Sequence, residues 1–320
     1  MKIISSVLIT IIFIQLGFSQ PIFETSYKNT IIQQKIKSQT NLDYNYINNK
    51  PSPKGIKTSY TKYNSNGDVV EFVTYKLKDT LTFEEYSYDN SGNRIYYIKH
   101  KGGKKNIAYQ KISKYNNSGD LILENGFNGS EKFKNTYKYD ANGKLSEIHY
   151  YIDNQLNEKR YFNQNDNITN VEVYNSSGIA TSYITLKYNG NGNLSEEILL
   201  DANKKPMEKK LLVYNNQSKI ISEVKYRLDK FYYKLTYLYN EKGGLINIDE
   251  ENLNAGRFSK KKFKYDNNGK LIEMKWRRKS NEEFNQRNYT YNGKGICTEV
   301  ITNYPSTKFK VLTKYEYEYY

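Results

Sequence analysis

One short string recurs along this chain at a nearly constant interval, and it constrains the fold more than anything else. It is Tyr, then Asp or Asn, two further residues, Gly, and an aliphatic side chain just beyond. It reads Tyr63-Asn64…Gly67…Val69, Tyr88-Asp89…Gly92…Ile95, Tyr115-Asn116…Gly119…Leu121 and Tyr139-Asp140…Gly143…Leu145. It continues as Tyr188-Asn189…Gly192…Leu194, Tyr239-Asn240…Gly243…Leu245, Tyr265-Asp266…Gly269…Leu271 and Tyr291-Asn292…Gly295…Cys297. Phe162-Asn163 and Tyr214-Asn215 begin degenerate copies that lack the Gly, and Tyr317 begins a copy that the chain end cuts short. The anchors repeat every ~25 residues, the signature of a repeat architecture.

Each unit reads as strand, turn, strand. An aromatic residue often stands two places before the anchor, as at Tyr86, Tyr137 and Phe263, which puts both rings on one face of a strand. The Asp or Asn side chain bonds the backbone two residues on, and Gly supplies the left-handed conformation that finishes the turn. Alternation resumes afterwards: Ile272, Met274 and Trp276 share a face, with Glu273 and Lys275 on the other. A second polar turn falls midway between motifs, for example at Lys101-Gly102-Gly103-Lys104 and Asp153-Asn154-Gln155. The expected fold is all-β: about ten two-stranded β-hairpin units forming a long, curled antiparallel sheet. About twenty strands are too many for a flat sheet, since open sheets curl beyond ~10 strands.

The N-terminus has a different character. Met1-Lys2 leads into an apolar run, Ile3 to Phe18, closed by Gly17-Phe18-Ser19. This is the layout of a secretory signal peptide over residues 1–19, and it predicts an exported protein (periplasmic, cell-surface or secreted) with no membrane span in the mature chain. Residues 20–55 lie outside the repeat and read as an N-terminal cap or linker, with a short helix over Thr30 to Lys37. The repeat domain then occupies residues 56–320.

The quoted strings resemble the YD repeat, also called the RHS repeat, over about Lys57 to Tyr320. The resemblance implies a coiled β-sheet of the kind that builds shells. Some such arrays carry a toxic domain at the C-terminal end, and others sit on cell surfaces where glycan binding has been proposed. This chain departs from the family pattern in its longer period and the scarcity of Arg after the Gly, in being too short to build a large shell, and in lacking a toxin-like segment after its array.

No catalytic constellation accompanies the repeat. The only histidines are His100 and His149, and Cys297 is the only cysteine. Neither a phosphate loop nor a nucleophile elbow is present, and no cofactor is expected. Asp89, Asp140 and Asp266 sit in turns without the distal Glu of a calcium loop, so the residues Tyr88-Asp89-Gly92, Tyr139-Asp140-Gly143 and Tyr265-Asp266-Gly269 are read as turn architecture rather than metal ligands. The best binding candidates come from a net charge of +15 and 34 Tyr residues. Lys260, Lys261 and Lys262, with Trp276, Arg277, Arg278 and Lys279, combine cations with an aromatic ring, and suit envelope polysaccharide or another anionic surface. Genomic DNA is not an expected partner of an exported chain.

The reading is therefore a non-enzymatic, exported binding or structural element of the cell envelope. Two alternatives remain open: an accessory, carrier-like or immunity-like component of a toxin or secretion system, and an outer-membrane β-barrel.

Overall fold

The computed structural model describes residues 22–320 apart from 78, 166–167 and 253–256, so the proposed signal peptide lies outside the described residues. A helix, α1 (Ile22–Gln33), is followed by strands of 7–12 residues joined by short turns, together with the two-residue strand Lys50–Pro51 and a 3-10 turn at Pro305–Thr307.

Every hairpin predicted from the motif forms. In the turn after Tyr88, Asp89 N–H donates to Asn93 O (2.9 Å) and Gly92 N–H to Asp89 O (3.1 Å). Asp89 Oδ1 accepts from Ser91 N–H and Asn93 N–H at 2.9 and 2.8 Å. Gly92 has φ +83°, the left-handed region that Gly enters without strain. The same bracket recurs at Asp140 and Asp266. At most of these hairpins the register slips by one residue beside the Tyr, as at Ser87/Tyr88 and Lys264/Tyr265. Such a bulge bends the strand and increases its twist, so a bend is built into nearly every repeat.

These bends bring the sheet back on itself. The expected open, curled sheet is corrected: the wall is a closed antiparallel barrel of 22 strands. The strand that seals it is Ile36–Ile47. It pairs with the last strand, Phe309–Tyr319, from Ile36↔Tyr319 to Asn45↔Val311. On its other side it pairs with Ile56–Tyr63, from Ser38↔Lys62 to Asp43↔Ile56. The N-terminal segment thus covers the first sheet edge and the last one together. The helix expected over Thr30 to Lys37 is helical only as far as Gln33, as the last turn of Ile22–Gln33, and Ile36 and Lys37 instead open the sealing strand.

The barrel has no central core among the described residues. Buried apolar side chains form two local clusters. One joins Ile31 of α1 to Ile36, Tyr63 and Ile296, and the other joins Val171, Val173, Ile184 and Leu199 on neighbouring strands. The backbone of 22 strands has a circumference of roughly 106 Å before tilt is counted. The accessible surface is 20833 Å², against roughly 14,000 Å² for a compact chain of this mass. Even allowing roughly 4,600 Å² for the residues outside the description, the most a chain of that length can expose, an excess of about 2,000 Å² remains. Both faces of much of the wall meet solvent, and the barrel is hollow.

Candidate functional site

Alternation along the strands gives the wall two chemically distinct faces. One carries the motif tyrosines and most of the larger aromatics; the other carries more of the unpaired lysines. On the tyrosine face eight motif hydroxyls are committed in the same way. Tyr88 Oη donates to Val69 O (3.0 Å), Tyr139 to Leu121 O (2.9 Å) and Tyr265 to Leu245 O (2.8 Å). Tyr115, Tyr214, Tyr239, Tyr291 and Tyr317 repeat the bond. Each ties a strand end to the carbonyl just beyond the turn of the preceding motif. Where the anchor is Phe162, which has no hydroxyl, Gln164 Nε2 donates to Leu145 O instead (2.9 Å). Across the seam Tyr320 Oη donates to Tyr63 O (2.6 Å). The motif residues are therefore an interlocking rim, a role that the turn pattern alone did not disclose.

Between the rims, buried carboxylates are paired. Glu124 accepts from Lys111 (2.5 Å), Tyr137 (2.7 Å) and Asn135 (3.3 Å). Burial works against ionisation of its carboxyl, but the hydrogen bonds from Lys111 and Tyr137 outweigh it and hold the pKa below the ordinary value. Glu84 is held in the same way by Lys99, Tyr86 and Tyr97. Burial, reinforced by Glu84, pushes Tyr97 up to about 12. These tyrosines stay protonated and act as donors.

The two basic blocks meet. Lys260 lies opposite Arg277, Lys261 opposite Trp276, and Lys262 opposite Lys275. Alternation nevertheless divides them between faces. Lys260, Lys262 and Arg277 lie on the lysine face, where Lys262 and Arg277 flank the Phe284 ring at 5.4 and 4.8 Å and Lys260 pairs with Asp249 (3.0 Å). A shallow depression beside them is lined by Asp249, Glu250 and Glu251 as well as Lys234, Lys260 and Arg277, so its charge is mixed. Trp276 and Lys261 lie on the tyrosine face. Trp276 packs edge-on against Tyr304 (5.8 Å) and beneath Arg287 (5.4 Å). Arg278 and Lys279 are exposed in the loop 278–284.

The remaining candidates are dispersed. His100 is buried against Phe83 with its Nδ1 lacking a hydrogen-bond partner. His149 Nε2 lies 2.9 Å from Glu147 Oε2, itself bound by Lys138. Burial pushes the Cys297 thiol up to about 11. Among the described residues, no three His, Cys, Asp or Glu side chains are placed to hold a metal ion.

No protein-family model matches the chain, and no curated protein matches its sequence. Among solved structures it is similar to the Photorhabdus luminescens Tc holotoxin pore, at 13% identity over 86% of this chain and 18% of that one, with a TM-score of 0.29. It is also similar to a porin-like protein from Bacteroides uniformis, at 10% identity over 88% of this chain and 98% of that one, with a TM-score of 0.34. A porin-like protein from Bacteroides vulgatus shows 11% identity over the same shares, with a TM-score of 0.19. The class that the fold itself defines is an all-β, closed 22-stranded barrel.

Proposed function

We propose that the protein is an exported, non-enzymatic barrel that works as a shell, holding a polypeptide or other cargo in its lumen as a carrier component of a toxin or secretion system. The observation that carries this reading is a closed wall with charge on both faces. The tyrosine face bears Lys99–Glu84 (2.8 Å) and Lys210–Glu197 (3.0 Å); the other bears Lys138–Glu147 (2.8 Å) and Lys187–Glu196 (2.6 Å). Whichever face looks outward, it lacks the continuous apolar band, ~25 Å tall, of a barrel in lipid. Eight-residue strands tilted by ~40° rise only about 20 Å. The YD-like turn chemistry supports the same reading, since the family it resembles builds shells.

An outer-membrane pore is the second reading, and the even number of antiparallel strands favours it. Among the described residues no helix is long and apolar enough to cross a membrane, which leaves a strand-built span open. Three experiments separate the readings. A shell extracts in buffer without detergent, gives no stepwise conductance in planar bilayers, and co-purifies with material that resists protease until the barrel unfolds. Stepwise conductance and a requirement for detergent would overturn it.

A further inference from the structure

The turns at the motif end of the barrel are polar and partly covered by α1. The opposite rim is not. Its described connecting segments carry eight Lys or Arg and four Asp or Glu, whereas those of the motif rim carry five and six. It also exposes large apolar side chains at or beside turn tips: Leu77 (71%), Leu228 (64%), Ile179 (63%) and Ile47 (62%). Met207, Phe258 and Phe309 are exposed at the same level of the wall.

The two leucines are the informative ones. Five hairpins at this rim close through two-residue turns, and the first turn residue is left-handed in each: Asn48 (φ +48°), Leu77 (+58°), Gly129 (+65°), Asp153 (+47°) and Leu228 (+48°). Asn, Gly and Asp suit that conformation; a branched apolar side chain does not. Leu77 and Leu228 accept the strained backbone and then point into solvent, which gains nothing for folding. Local rules broken without a folding gain mark functional positions.

Ile179 supports the same conclusion by contrast with Ile296. Both close an Asn-initiated turn: Asn175 Oδ1 accepts from Ile179 N–H, and Asn292 Oδ1 from Ile296 N–H, at 2.9 and 3.0 Å. Ile296 is buried in the cluster that includes Ile31 of α1. Ile179 has no such cover.

We propose that this rim docks on an anionic lipid bilayer, with the leucine and isoleucine tips seated among the acyl-chain ends of the headgroup layer and the surrounding lysines on lipid phosphates. The tips come from turns spread around the circumference rather than from one side, which suits a flat surface. The cationic excess complements an anionic one and opposes rim-to-rim pairing of two copies. Apolar tips combined with lysines are the composition of a peripheral, interfacial contact. The inference goes beyond the shell reading and rests on its premise that the wall does not span the bilayer.

The test is flotation of the mature chain, residues 20–320, with phosphatidylcholine vesicles and with phosphatidylcholine–phosphatidylglycerol vesicles. The probe variant is Leu77→Asn/Leu228→Asn, which places a residue suited to the left-handed backbone and so keeps the fold. The proposal expects flotation with anionic vesicles only, reversed by high salt, and at least about tenfold weaker in the variant, whose melting temperature is unchanged or higher. Failure of the native chain to float, or equal flotation of a folded variant, overturns the docking and leaves the shell reading intact. Flotation that resists both salt and carbonate in both proteins identifies a spanning barrel, and overturns the shell reading together with the docking.

Discussion

The two rims of the barrel are made from the same hairpin and finished in opposite ways. At the motif rim, turn tips are polar, tyrosine hydroxyls bond carbonyls one repeat away, and α1 seats Ile31 over Ile296. At the other rim, most turns are shorter, the connections are more basic, and apolar tips meet solvent. The difference teaches where the fold is fastened and where it is left free. A closed barrel needs only its strand pairing to close, so interlocking on one rim leaves the other available for contacts outside the molecule.

The comparison can be broken most sharply at the two isoleucines. Ile31→Ala empties a site that is 1% exposed and should lower stability by about 3 kcal/mol. Ile179→Ala should change it by less than about 0.5 kcal/mol. Similar losses in urea titrations of the two variants would mean that the rims are not differently fastened.

The wall between the rims should respond to acid rather than to either change. Glu124 has its pKa depressed by folding, so the unfolded chain binds the proton more readily. The stability it contributes is complete above the ordinary glutamate range and is lost as pH falls through the lower folded value. Glu124→Gln should lower stability by about 2 kcal/mol at neutral pH and flatten the acid limb of the melting-temperature profile. An unchanged acid limb would remove Glu124 from the account.

Smaller effects test the interlock. Tyr139→Phe and Gln164→Ala each leave a rim carbonyl without its side-chain donor, and each should lose about 1 kcal/mol. Two variants combined at distant repeats should add, because contacts in such a wall are between neighbours. The smallest effect lies at the free rim: Leu77→Asn should raise stability by about 0.5 kcal/mol by relieving the left-handed backbone, a rise in melting temperature that calorimetry resolves. A fall would mean that Leu77 is packed rather than presented.

How far the sequence foretold this follows from the range of each interaction. The hairpins were legible, because Tyr88, Asp89 and Gly92 form their turn within five residues. The pairing of Lys260–Lys262 with Trp276–Arg277 was also within reach, since one motif turn joins the two strands. The packing of Trp276 against Tyr304 and Arg287 was not, because those residues come from later strands whose register depends on intervening bulges. Closure was the hardest to foresee. The sealing strand, IKSQTNLDYNYI, carries none of the repeat's turn signals, and its partner lies at the far end of the chain. A sheet that curls and a sheet that closes share every local feature and differ only in that pairing.

Residue-resolved hydrogen exchange over Ile36–Ile47 tests that pairing directly. In a closed barrel the amides directed toward Phe309–Tyr319 and those directed toward Ile56–Tyr63 are both bonded, so the strand should be protected at consecutive residues from Ser38 to Asp43. Protection at every second residue would leave one side of the strand unpaired. The sheet would then be open, and the closed shell would be contradicted.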